Sequence, residues 1–203
     1  SKCALIVECA RAGGELVRSR KGVADLKVVF RGRSAHAGNN PQDGANANVA
    51  AMRFSLACYE LADPSKGTTV NPGIIAGGTA TNVIPDSCEV RFDLRYCFDK
   101  DGSDLENQIF ELAERSWAPG VSQTVELLGF TPAMPLSDDA KALTAKITEA
   151  AKMTGFEAKF VDAGGGSDGC GPAGACFHTE REYLRLDTVE ERVKMLTNFF
   201  SLL

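Results

Sequence analysis

His36 stands in the segment GRSAHAG, among small residues and just ahead of a helix start. Small neighbours let an imidazole approach a substrate oxygen closely, and the free N–H groups of a helix N-terminus favour an anion there. The competing reading is a histidine that closes a turn. His178 opens HTEREY, where Glu180 and Glu182 share its face if the segment is extended. That set suits a metal-ligating histidine whose ring a carboxylate orients, or an ordinary exposed edge. The run AGGGSDG (163–169) follows a strand-like segment, and the backbone N–H groups of Gly165, Gly166 and Ser167 are candidate donors to a carboxylate or oxyanion. It lacks the lysine of a phosphate-cradling loop, and a flexible turn at a strand end is the plainer alternative. Arg91 and Arg95 on one charged strand face could clamp a substrate carboxylate, or form a ladder with Glu89 and Asp93.

Charge and length narrow the classes of function. The 203 residues carry 22 Lys+Arg against 27 Asp+Glu, a formal charge of -5, with 44% hydrophobic residues. This is the composition of a globular chain, and nucleic acid or anionic membrane is not an expected partner, since both need a basic surplus or stripe. No apolar run approaches the roughly 20 residues of a membrane span, and Glu8 interrupts the N-terminal apolar segment, so neither membrane insertion nor a signal peptide is expected. Seven scattered cysteines without a Cys-x-x-Cys pair read as reduced thiols in a cytoplasmic protein. With two histidines, a three-histidine zinc site within this chain is impossible.

The elements that must hold these groups follow from periodicity. Residues 24–30 form a strand with Leu26, Val28 and Phe30 on one face. Asn40 and Pro41 predict the start of a helix whose apolar stripe is Ala45, Val49, Met52, Leu56 and Tyr59. An extended stretch, TTVNPGIIAGG, precedes a strand over 87–96 that alternates between apolar and charged residues, which predicts a sheet with one buried face. Ser103 and Glu106 predict a capping box for a second helix, and residues 121–130 return as a strand. The order strand, helix, strand, strand, helix, strand is the ferredoxin-like arrangement, an α+β fold. Beyond Pro132 and Pro135, Ser137 caps a helix, EAKFVDA is a short strand, and Thr188 with Glu191 caps a last helix bearing Val189, Val193, Leu196 and Phe200. Residues 1–21 and 133–203 do not make a complete domain alone, so the intact unit at 22–132 is expected to be inserted between pieces of another.

Five motifs in order, GRSAHAG, GGTATNVIP (77–85), FDLRY (92–96), GGGSDG (164–169) and HTEREY (178–183), resemble the co-catalytic zinc peptidases. That family includes glutamate carboxypeptidase, aminoacylase and succinyl-diaminopimelate desuccinylase, and the likeness is nearest to the glutamate carboxypeptidase type. The resemblance implies a ferredoxin-like lid and dimerisation domain inserted in an α/β catalytic domain that is only partly present here. It further implies a homodimer in which His36 reaches the active site of the other protomer to polarise the scissile carbonyl. Asn82 would bond substrate, Arg95 would hold its free carboxylate, and the loop from Gly165 through Gly166 to Ser167 would line the pocket. Glu8, ending the apolar strand CALIVE, and His178 would each ligate one of two zinc ions. The substrate class implied is a small peptide or N-acyl amino acid, cleaved before a C-terminal, glutamate-like residue.

The family's histidine-rich first motif, bridging aspartate and adjacent glutamate pair would all precede residue 1, so the chain reads as truncated and is not expected to retain two zinc ions alone. Only eight residues separate Gly169 from His178, where family members carry a further helix and strand. Two hypotheses therefore stand: a zinc-dependent hydrolase missing upstream residues, or a catalytically inactive dimerisation fragment of one. A ferredoxin-like small-molecule sensor explains neither GGGSDG nor HTEREY.

Overall fold

The computed structural model describes residues 3–165, 169–177 and 179–203. In chain order the principal elements are β1 (Leu16–Arg20), β2 (Gly22–Arg31), α1 (Ala47–Tyr59), β3 (Thr69–Gly77), β4 (Ser87–Tyr96), α2 (Asp99–Ala113), β5 (Ser122–Thr131), α3 (Asp138–Lys152), β6 (Phe160–Ala163) and α4 (Val189–Ser201). They fall into two compact units, Gly22–Ala133 and the flanking segments Ser1–Lys21 with Met134–Leu203.

The Gly22–Ala133 unit is ferredoxin-like, a four-stranded antiparallel sheet ordered β3-β4-β2-β5 with α1 and α2 against one face. Cys88, Val90, Phe92, Leu94 and Tyr96 of β4 and Ala24, Leu26, Val28 and Phe30 of β2 all point into that core. The other face carries the charged partners, with Lys27 of β2 paired to Glu126 of β5 at 2.5 Å. Helix α2 starts a full turn before the expected capping box: its N-cap is Phe98, and Ser103 lies inside it. Two local contacts explain the early start. Asp99 accepts the Ala133 N–H at 2.7 Å, and the Tyr96 ring packs so close to Gly102 that a Cβ there would stand 2.7 Å from it. Helix α2 buries Leu105, Ile109 and Leu112 as expected.

Helix α1 departs from expectation at both its start and its face. Asn40 precedes only a 3-10 turn, Pro41–Asp43, and Asn46 caps the α-helix, its side chain accepting the Val49 N–H at 3.1 Å. The intervening Ala45 is held extended by paired backbone bonds to Arg33 (3.0 and 2.8 Å), which postpones the helix. Its sheet-facing side is Ala47, Ala50, Ala51, Phe54, Ser55 and Cys58. Met52, Leu56 and Tyr59, the expected inward stripe, are 51%, 65% and 59% exposed. Small side chains let the helix approach the sheet, while Phe54 fills the space between Phe30, Phe92 and Trp117 in edge-to-face contacts.

Cys58 lies wholly inside this core, and burial pushes its thiol up to about 12. The neutral thiol is the form that burial favours, and only a thiolate attacks a disulfide reagent. At mildly alkaline pH such a reagent is expected to label exposed Cys176 while sparing Cys58 until denaturant is added, with labelling mapped by peptide mass. Labelling of native Cys58 at the denatured rate would mean that α1 does not stay seated on the sheet.

In the flanking unit β1 and β6 pair in parallel, and α3 and α4 enclose a core of Leu16, Ile147, Ala150, Met195 and Phe199. Ser137 caps α3 as expected, accepting the Ala140 N–H at 3.1 Å. The Thr188–Glu191 capping box does not form, because the Thr188 hydroxyl accepts the Ala173 N–H (2.9 Å) and donates to the Arg185 carbonyl (2.7 Å). The buried side of α4 is Arg192, Met195 and Phe199, and Val193 and Phe200 are 57% and 66% exposed. Arg192 is held by the Gly14 carbonyl and lies 4.4 Å from the centre of the Phe156 ring. Residues 3–7 form no strand, contrary to the expectation for CALIVE. They run irregularly beside the 169–171 segment, with the Ile6 and Glu8 carbonyls accepting the Cys170 and Gly171 N–H groups at 2.9 and 2.7 Å, bonds to adjacent donors in place of the regular alternation of a ladder. No helix among the described residues is long and apolar enough to cross a membrane.

Candidate active site

Two loops leave the same end of the four-stranded sheet, one after β2 and one between β3 and β4, and the main chain ties them together. The Ala37 N–H donates to the Asn82 carbonyl and the Ile84 N–H to the Ala35 carbonyl, both at 2.9 Å, so His36 and Val83 form an isolated antiparallel bridge. His36 and Asn82 are thereby brought together although 46 positions separate them. Gly44 packs under this pair of loops, where a Cβ would stand 2.5 Å from Ile84 Cδ1 and push the tip of that side chain aside. At the root of the second loop Asn48 donates from Nδ2 to the Gly77 carbonyl at 3.2 Å. An open cleft of about 470 Å³ runs beside the bridge, lined by Ala37, Asn46, Asn48, Thr79 and Thr81 among others.

His36 is exposed, and its ring is oriented from behind: Nδ1 accepts the N–H groups of Gly38 and Asn39, each at 3.1 Å. Asn82 is also exposed. Both present a polar side chain at the open end of the sheet, an arrangement able to donate hydrogen bonds to an oxygen that gains charge.

Arg95 lies elsewhere. It is eight positions along β4 from Ser87, at the far end of the same sheet, and β2 confirms the separation because Arg31 pairs with Ser87 and Val23 with Arg95. At strand rise that is roughly 27 Å. Its guanidinium is already engaged: Nε and Nη2 donate to the two Asp93 oxygens at 2.8 and 2.6 Å. Asp93 beside it raises the Arg95 pKa from its usual value, with desolvation working against. Arg91 makes a single bond, Nε donating to Glu89 Oε1 at 2.8 Å.

In the flanking unit Glu8 is exposed and Gly165 lies in a bend with open space around it. Gly166, Ser167 and His178 lie outside the described residues. Among the described residues no three His, Cys, Asp or Glu side chains converge as a metal ion requires, so these residues by themselves do not fit a dinuclear zinc site. Sequence reading missed Asn46 and Asn48. The Asn-x-Asn pattern directly before an alanine-rich helix is the signal that could have found them.

A family model, the peptidase dimerisation domain, matches residues 18–121. Carboxypeptidase G2 of Pseudomonas sp. (strain RS-16) is 27% identical over 210 residues, covering 94% of this chain and 50% of the relative. A p-aminobenzoyl-glutamate hydrolase polypeptide of Escherichia coli is 37% identical over 89 residues, covering 43% of this chain and 19% of its own length. Among solved structures, aminopeptidase PepT from Bacillus cereus superposes with a TM-score of 0.78 at 21% identity, over 95% of this chain and 54% of that one. A tripeptidase from Staphylococcus aureus gives 0.75, also at 21%, over 96% and 55%. The chain thus spans about half the length of carboxypeptidase G2 and of the two solved structures, and a smaller share of the hydrolase. With the ferredoxin-like unit, its two tied loops and the matched residues in agreement, this chain belongs to the M20 peptidases and carries their dimerisation domain.

Proposed function

We propose that this chain is the lid and part of the catalytic unit of a zinc-dependent, carboxypeptidase-type hydrolase. Its substrate would be an N-acyl amino acid or small peptide ending in a glutamate-like residue. The observation that carries the reading is the main-chain bridge that seats His36 beside Asn82 at the open end of the sheet. The names of the relatives agree in substrate class: p-aminobenzoyl-glutamate hydrolase and indole-3-acetyl-aspartic acid hydrolase both act on an amide of an acidic amino acid. Zinc would supply an activated water, held by ligands that this chain largely does not contain.

This chain's own residues would act on the substrate's oxygens. His36 donates to the scissile carbonyl as charge develops on it, and Asn82 adds a second donor. Arg95 takes the free carboxylate through the guanidinium edge that Asp93 leaves open. Because His36 and Arg95 stand at opposite ends of one sheet, a single small substrate meets both only across two copies of the chain. Helix α1 and edge strand β3 offer the surface for such a homodimer, with Met52, Leu56 and Tyr59 exposed on the helix and Ile75 exposed on the strand. The seven free cysteines support a reducing, cytoplasmic setting.

Leu56→Lys places a charge in the middle of that stripe. It is expected to weaken dimerisation by about 30-fold or more, the scale of a hot-spot residue, without changing secondary structure. Sedimentation equilibrium checks it, and a variant as dimeric as the parent would remove α1 from the interface.

The alternative is a catalytically inactive dimerisation fragment. Intact mass with metal content separates the two: about two zinc ions per chain in a protein heavier than 21.6 kDa, with N-acyl-glutamate hydrolysis, supports the enzyme. A dimer that stays inactive after the upstream half found in relatives is supplied supports the fragment.

A further inference from the structure

We infer that the turn after His36 holds its imidazole as the Nε2–H tautomer, which makes the backbone at residues 38 and 39 a positioning element for that ring. The use of this tautomer rests on the proposed role of His36, and the inference adds how the group is held.

In a neutral imidazole one nitrogen donates and the other accepts. His36 Nδ1 faces the N–H groups of Gly38 and Asn39, each at 3.1 Å, and a proton on Nδ1 would point at two donors. The ring proton therefore sits on Nε2, which no described residue bonds. The turn that aims these donors is itself fixed. The Asn40 N–H donates to the His36 carbonyl at 3.2 Å, and the Ala37 N–H is committed to Asn82. The amides, not the side chains, carry the function: a Cβ on Gly38 would stand 3.6 Å from His36 Cε1, ordinary contact. An exposed histidine without such contacts turns about its side-chain bonds and exchanges between tautomers. Here an exposed ring is preorganised to present one donor in one direction, which is what stabilising a developing oxyanion requires.

The test uses the 15N-labelled chain with His178→Gln, which leaves His36 as the remaining histidine of two. Spectra are taken well above the usual histidine pKa of about 6.5. Long-range 1H–15N correlations are expected to show a single Nε2–H tautomer, with coupling across the hydrogen bonds from the Gly38 and Asn39 amides to Nδ1. Asn39→Ala keeps its N–H and should retain the coupling, whereas Asn39→Pro removes the donor and should lose it. Averaged ring nitrogens, or a proton on Nδ1, in the parent chain would overturn the inference. In the protein carrying the complementary catalytic half, Asn39→Pro is expected to lower kcat about 10-fold relative to Asn39→Ala, with KM held within about twofold, the cost of a misaimed donor. Equal kcat values would overturn the positioning role. Full activity in His36→Gln would instead overturn the oxyanion-donor role of His36 on which the inference rests and leave the tautomer result standing.

Discussion

His36→Gln, in the protein that carries the complementary catalytic half, is expected to lower kcat by about 10²–10³-fold, the range observed when one donor to an oxyanion is removed. Such a donor acts on charge that develops after the substrate is bound, so KM should change far less than kcat. The thermal midpoint should not move, because the side chain is exposed and its hydrogen bonds are local to one turn. Steady-state hydrolysis of an N-acyl-glutamate beside a melting curve measures both. A fall in the thermal midpoint that accounts for the lost rate would make His36 a residue of the turn and nothing more. If two copies share a site, the kinetics hold a further signature. Mixing His36→Gln with an Arg95→Met variant, each nearly inactive, should restore activity in mixed dimers, in which one site keeps both side chains. Restoration fails if both residues serve from the same copy, and the distance along β4 argues against that.

The elements of the fold were largely legible, because the physics behind them is local. The alternation along β4 announces a sheet with one wet face, and β4 buries Cys88, Val90, Phe92, Leu94 and Tyr96. Helix α1 shows where locality stops. Two stripes fit its helical period, one of small residues around Phe54 and one of Met52, Leu56 and Tyr59, and hydrophobicity favours the second. The sheet chose the first because alanines allow close approach, leaving the larger side chains outside. The start of that helix was misplaced for a related reason. Asn40-Pro41 and Asn46-Ala47 are both acceptable beginnings, and the pairing of Ala45 with Arg33 decides between them, a contact no window along the helix reveals.

The candidate site was legible in residue type and not in geometry. No spacing rule joins His36 to Asn82; the order of motifs suggested the pair, and the bridge through Val83 supplies the physical link. Arg95 shows the converse. Its pairing with Asp93 follows from strand period alone, since residues two apart share a face, yet only the sheet register shows how far it stands from His36.

Phe54→Ala is expected to cost the Gly22–Ala133 unit about 3–5 kcal/mol, against a total of roughly 5–15 for an ordinary domain. Phe54 is 0% exposed, and its ring meets Phe30, Phe92 and Trp117 at centroid distances of 5.5, 6.0 and 5.6 Å. The neighbours of this ring are held by β2, β4 and the segment after α2, so the cavity collapses only if strands move, and such sites lie toward the costly end. Trp117 is the chain's single tryptophan, so its fluorescence during urea denaturation reports on this unit even if the flanking unit unfolds separately. Phe200→Ala, at a ring that is 66% exposed on α4, should leave that transition within about 0.5 kcal/mol of the parent. A Phe54→Ala loss below about 1 kcal/mol would mean that α1 is not anchored by this ring. The consequence reaches the site, because α1 carries the stripe proposed for the dimer on one side and begins at Asn46 and Asn48, which border the loops of His36 and Asn82. Loosening the helix should therefore weaken dimerisation and lower kcat together, whereas Leu56→Lys acts on the dimer with the fold of each copy intact.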